Sequence, residues 1–198
     1  DQIKNFDPNS AEFKEIHYAW GVVGGTDAIM FGVDTVEPDM QPALSGWASS
    51  DPKKAIEWFE ALDMENDSSF DPLLKDRKMK AEDLRNHLLS GLVQGLSNSD
   101  PDLALDYVKQ VIDSGNRVGY GLMNAPISAM IQTNSPLEAA QWAAQLDEGV
   151  IRNQAMSRTA DNYAKKDFEA AKEWAESFGS GAGVERVVDP VTRNWASR

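Results

Sequence analysis

A chain of 198 residues without cysteine has no disulfide, no thiolate nucleophile and no thiolate metal site. Its 32 acidic residues outnumber 19 Lys and Arg, and the formal net charge of -13 repels phosphate backbones and anionic headgroups, which sets nucleic acid aside as a partner. Hydrophobic content of 41% suffices for a continuous core, and no apolar run approaches the ~18 residues of a membrane span.

In chain order, one phrase keeps returning. The first unit, residues 10–35, centres on Trp20, followed by Ala28 and Phe31. The second, 36–63, carries Trp47 and then Asp51-Pro-Lys-Lys-Ala-Ile-Glu-Trp-Phe-Glu-Ala-Leu62. An acidic insertion follows at 63–75. The third unit, 76–113, has a helical stripe of Leu84, Leu88, Leu89, Leu92 and Val93 ending at Leu96, then Asp100-Pro-Asp-Leu-Ala-Leu-Asp-Tyr-Val-Lys-Gln-Val111. The fourth, 117–147, ends its first helix at Ile131 and continues with Ser135-Pro-Leu-Glu-Ala-Ala-Gln-Trp-Ala-Ala-Gln-Leu146. The fifth, 150–178, carries Ile151, Ala155, Thr159 and Tyr163, then Asp167-Phe-Glu-Ala-Ala-Lys-Glu-Trp-Ala-Glu-Ser-Phe178. A final helix at 184–198 repeats the first-helix pattern with Val187, Val188, Val191 and Trp195.

The spacing within each unit is helical. Eight residues after Trp20, Trp47, Leu96, Ile131 and Tyr163 stands Ala28, Ala55, Ala104, Ala139 or Ala171. Eleven after them stands Phe31, Trp58, Tyr107, Trp142 or Trp174. Residues three and four apart share a helix face, so the small residue and the aromatic form one apolar stripe. Asp51, Asp100 and Ser135 are N-cap residues, and Pro52, Pro101 and Pro136 occupy the first helical position, where a missing N–H costs nothing. Each unit therefore reads as a helix, a turn of about three residues, and a second helix. Self-similarity of this kind predicts an all-α fold: one domain over 1–198, a right-handed superhelical α-solenoid of about five helix–turn–helix repeats.

The second-helix phrases Ala55–Leu62 and Ala170–Glu176 resemble the tetratricopeptide repeat. They also resemble Asp-Pro-x-x-Ala-x-x-Trp arrays of uncharacterised bacterial proteins. The early Trp-x-x-Leu-Gly signature of the tetratricopeptide family is missing from the first helices, so the likeness is to a tetratricopeptide-like solenoid. The resemblance implies a concave surface that binds peptides or proteins, and it carries no catalytic residues.

The aromatics Phe31, Trp58, Tyr107, Trp142 and Trp174 share phase with the alanines and read as inter-helix core rather than a stacking ladder. In the insertion, Asp63, Glu65, Asp67, Ser69 and Asp71 alternate as Ca²⁺-loop ligands do, but Ser68 stands at the turn glycine and Leu74 at the bidentate glutamate, so the segment reads as a solvated acidic loop. His17 and His87 form no metal-binding pair and read as surface or boundary residues. Gly21-Val-Val-Gly-Gly25 lacks the strand and Lys-Ser/Thr of a phosphate loop and reads as a turn. Arg85 and Arg152 occupy equivalent positions and read as braces between units, or as holders of a partner's carboxylate; Asn162 and Asn194 raise the same question.

The expectation is a non-catalytic protein- or peptide-binding scaffold with an acidic curved surface, without cofactor or metal. The alternatives are an enzyme or carbohydrate-binding protein using a cleft of the superhelix, and a Ca²⁺ module acting through Asp63–Asp71. Neither a periplasmic or exported location nor a cytoplasmic one is favoured by the composition.

Overall fold

The computed structural model describes residues 10–34, 40–76, 78–115, 121–133, 136–147 and 150–177. All regular structure among them is helical, with no strand, so the protein is all-α. The helices are α1 (Ala11–Gly24), α2 (Thr26–Asp34), α3 (Met40–Ser50), α4 (Pro52–Glu60), α5 (Ala81–Ser99), α6 (Pro101–Asp113), α7 (Asn124–Thr133), α8 (Pro136–Gln145), α9 (Val150–Lys166) and α10 (Phe168–Glu176). A 3₁₀ turn, Ser68–Phe70, and a π-helical turn, Pro72–Asp76, lie between α4 and α5. The expected helix at 184–198, with Asn194 and Trp195, and the cap at Ser135 lie outside the described residues. No described helix is long and apolar enough to cross a membrane.

Three helix pairs are joined by a single aspartate. Asp51 links α3 to α4, Asp100 links α5 to α6, and Asp167 links α9 to α10. All three adopt nearly the same conformation, with φ of -140°, -149° and -150°. Each backbone N–H closes the preceding helix, donating to Trp47, Leu96 or Tyr163 at 2.7–2.8 Å. Each carbonyl opens the next helix, accepting from Ala55, Ala104 or Ala171 at 3.0–3.1 Å. Each carboxylate then accepts from the N–H of Lys54, Leu103 or Ala170. One residue thus serves groups at both helix ends that would otherwise lack partners. The expected three-residue turn is replaced because the first helix runs three residues past Trp47, Leu96 or Tyr163. Ser50 and Ser99 support the extra turn by donating their hydroxyls back to the carbonyls of Trp47 and Leu96.

The chain divides into two compact units, Asp1–Ala104 and Leu105–Arg198, with the boundary inside α6. In the first, α3 lies between α1 and α5 and packs most extensively against both. Tyr18 meets Gly46 and Val22 meets Ser50, while Gln41 meets His87 and Ser45 meets Gly95, so the three helices run in the same direction. Glycines permit the approach. A Cβ at Gly46 would overlap the Tyr18 carbonyl oxygen, and one at Gly95 the Ser45 carbonyl oxygen. Helix α2 packs on α1 and α3, and α4 on α3 and α5. The insertion contributes to this core: Met64, Phe70 and Leu73 are buried, and Pro72–Asp76 packs on α2. Only its polar side chains match the solvated loop read from sequence, because every few residues an apolar side chain folds back under the acidic ones.

In the second unit α9 packs against α7, α8 and α10. Arg158 Nε donates to Asn124 Oδ1 at 2.6 Å, and Lys166 Nζ donates to the Ile131 carbonyl near the C-terminus of α7. A cation at that end meets the negative pole of the helix dipole. The core alanines Ala28, Ala55, Ala104, Ala139 and Ala171 are all 0% exposed.

Candidate interaction surface

The aromatic series expected as core divides in two. Tyr107 is buried, whereas Phe31, Trp58, Trp142 and Trp174 are half-buried. A large ring three residues from a buried alanine fills the seam with one edge and leaves the other at the surface. Three of the rings pair with the aromatic residue eleven positions earlier. Ring centroids are 5.0 Å apart for Trp20 and Phe31, 5.7 Å for Trp47 and Trp58, and 6.2 Å for Tyr163 and Trp174. Burial pushes the Tyr163 hydroxyl above its ordinary pKa, with Asp167 and Glu173 adding to the effect, so it stays neutral.

The histidines part company. His17 is not a surface residue: it is 1% exposed, stacked on Phe13 at 4.2 Å and close to Trp20 and Phe31. It shares a face of α1 with Phe13 and Trp20, and α2 closes over that face. His87 is half-buried on α5, where its carbonyl accepts from Gln41 Nε2 at 3.0 Å. Arg85 braces α5 to α4, its guanidinium 4.5 Å above the Phe59 ring. Arg152 is half-buried on α9, and Asn162 there donates to the Arg158 carbonyl, one turn earlier. Gly21 and Gly24 belong to α1. Only Gly25 makes the turn, at φ 53°, where a side chain would be strained and would meet the Trp47 indole.

In the acidic insertion the oxygens serve separate neighbours. Asp63 accepts from Asn66 Nδ2 at 2.8 Å, Asp67 caps the Ser68–Phe70 turn by accepting from the N–H and hydroxyl of Ser69, and Asp71 pairs with Lys75 at 2.7 Å. The Ser69 hydroxyl chiefly holds the Asp67 carboxyl below its ordinary pKa. Among the described residues no group of three or more His, Asp or Glu side chains is placed to hold a metal ion.

One surface stands apart in its chemistry. Helix α3, of which only Ser50 is exposed, contains no Lys, Arg, Asp or Glu, and α5 contains none from Asn86 to Ser99, a stretch that includes His87. Asn86, Ser90, Gln94 and Asn98 follow one another at four-residue spacing and so run along one side of α5. Ser90, Gln94 and Asn98 are exposed, and Gln94 Nε2 donates to Asn98 Oδ1 at 3.1 Å. On α3, Gln41 bridges to α5, and the Ser49 hydroxyl lies 2.8 Å from the Tyr18 hydroxyl of α1. The sequence signal for this surface is the absence of Lys, Arg, Asp and Glu over a long helical run. No family model, curated protein or solved structure matches the chain.

Proposed function

We propose that this chain is a tetratricopeptide-like right-handed α-solenoid of about five helix–turn–helix units that binds a protein or peptide partner without catalysing a reaction. The observation that carries the reading is the recurrence of one joint. The same aspartate geometry at Asp51, Asp100 and Asp167 is followed four residues on by an alanine with no exposed surface. Units built alike and nested through small residues present long side-by-side helix faces, which suit an extended partner better than a compact substrate.

The test is selection of binders from a random peptide display library, with calorimetric measurement of those recovered. The reading expects peptides that bind with Kd at or below about 100 μM, in the range of transient recognition. Recovery of nothing tighter than about 1 mM would sink it.

A further inference from the structure

We infer that the partner is an α-helix that docks on the outer face of α1 and runs in the same direction as α1, with small residues on its contact side and Lys or Arg in its N-terminal half; this rests on the partner-binding reading above. The packing of α1, α3 and α5 defines what fits there.

The two contacts in that stack use the same positions. Immediately before Trp20, Trp47 and Leu96 stand Ala19, Gly46 and Gly95. A Cβ at Gly46 would overlap the Tyr18 carbonyl of α1, and one at Gly95 the Ser45 carbonyl of α3. Tyr18 and Ser45 are themselves equivalent, each two residues before its tryptophan. Gly46 and Ala48, two residues apart and so on opposite sides of α3, face α1 and α5 respectively. Each of these helices thus has one side for the helix before it and the opposite side for the helix after it.

On α1 the side for a preceding helix is open. Ala19 holds the place of Gly46 and Gly95, with Ile16 three residues before it and Val23 four after it on the same side of the helix. Ala19 is exposed and Ile16 half-buried, and Val23, at 83%, is the most exposed large apolar side chain among the described residues. The counterparts of Ile16 and Ala19 are Ala43 and Gly46 on α3 and Leu92 and Gly95 on α5, and all four are buried. The counterparts of Val23 are serines, Ser50 and Ser99, so α1 is more apolar here than the helices already covered.

The established contacts also specify the occupant. What α1 offers to α3, and α3 to α5, is a helix in the same direction whose contact side includes Gly21 or Ala48 beside the Tyr18 or Ser45 backbone. A further helix with Gly, Ala or Ser at such spacing continues the series onto Ala19. Glu12 and Glu15 are exposed on α1, one turn before Ile16 and Ala19. Parallel helices set their first turns side by side, so Lys or Arg in the partner's N-terminal half meets these carboxylates. A second copy of this chain, with its own net charge of -13, brings the wrong sign.

The experiment uses the full chain and the peptides recovered from the random library. Those peptides should gain helical circular dichroism on binding, with Gly, Ala or Ser at three- and four-residue spacing and Lys or Arg ahead of them. Ala19→Gln retains a good helix former but blocks close approach, so Kd should rise at least about tenfold. Glu15→Gln should raise it about threefold. Leu137→Ser, at an exposed apolar position on α8, should leave Kd within about threefold. All three positions are exposed, so the melting temperature of each variant should match that of the parent. Peptides that bind Ala19→Gln as tightly as the parent, or that stay extended when bound, would overturn the inference and leave the partner-binding reading standing. A dimer of the full chain in sedimentation that is lost in Ala19→Gln would overturn it in favour of a second copy as the occupant. Failure to recover any binder overturns both.

Discussion

Asp100 shows how much one side chain settles in this protein. Its backbone ends α5 and begins α6, and its carboxylate accepts from Leu103 N–H at 3.1 Å. Replacing it with Ala leaves that donor without its capping partner and should lower stability by about 1 kcal/mol, whereas Asn should retain most of it. Urea titration of the pair checks this; equal losses for Ala and Asn would mean that the side-chain bond contributes nothing. Thr159 makes the opposite case. It is 0% exposed on α9 and its hydroxyl has no hydrogen-bond partner. Thr159→Val keeps the shape and removes the unsatisfied group, so unfolding should shift upward by about 1 kcal/mol. A loss of similar size would show that the hydroxyl does make a bond. Both positions were legible in the sequence as positions: Asp100 before Pro101, and Thr159 in the stripe with Ala155 and Tyr163. His17 was not legible, because its burial depends on α2 folding over α1, and nothing in local spacing reports that closure.

At the scale of elements, the pairing of helices follows the written pattern and their stacking does not. The alanine and aromatic positions announced which face of each second helix turns inward. The approach of α1, α3 and α5 rests instead on Gly21, Gly46, Gly91 and Gly95, and helix propensity alone treats these as defects. Only the four-residue spacing of Gly91 and Gly95, which sets both on one helix side, hinted at their use. Gly95→Ala makes the distinction measurable. By propensity it should stabilise α5 by about 1 kcal/mol. A methyl group there collides with the Ser45 backbone and lies 2.7 Å from the Ala48 Cβ, so the helices must separate along their contact. Overpacking of this kind costs about 1–3 kcal/mol, and a net loss in thermal denaturation is expected. A gain would mean that α3 and α5 pack less closely than described. The single-aspartate joints were half-legible in the same sense. Asp-Pro marked the start of α4 and α6, but the serines that lengthen the preceding helix, Ser50 and Ser99, carry no such signature.

At the scale of the whole molecule, a net charge of -13 opposes folding, since compaction brings like charges together. Ion pairs such as Lys53 with Glu57 and Lys109 with Asp113 lie within one turn of helix, and exposed local pairs of this kind offset little of that repulsion. Added salt screens the surplus, so the melting temperature at pH 7 should rise by a few degrees between about 0.01 and 0.5 M NaCl. Acid acts in two opposed steps. Lowering the pH from 7 toward the sequence pI of 4.5 protonates carboxylates, relieves repulsion and should raise stability. Below that, the capping carboxylates are lost. Hydrogen bonds hold Asp51, from the Lys54 side chain and backbone, and Asp67, from Ser69, below the ordinary aspartate value of 3.8. A carboxyl whose folded pKa is depressed contributes stability that is fully present above its unfolded value and disappears as pH falls through the folded one. Those contributions therefore survive to about pH 4 and vanish below it. Melting temperature against pH should pass through a maximum between about pH 4.5 and 6 in low salt, and that maximum should flatten in 0.5 M NaCl while the fall below pH 4 persists. A melting temperature that drops with salt at pH 7 would show that local ion pairing, rather than net repulsion, dominates the electrostatics of this fold.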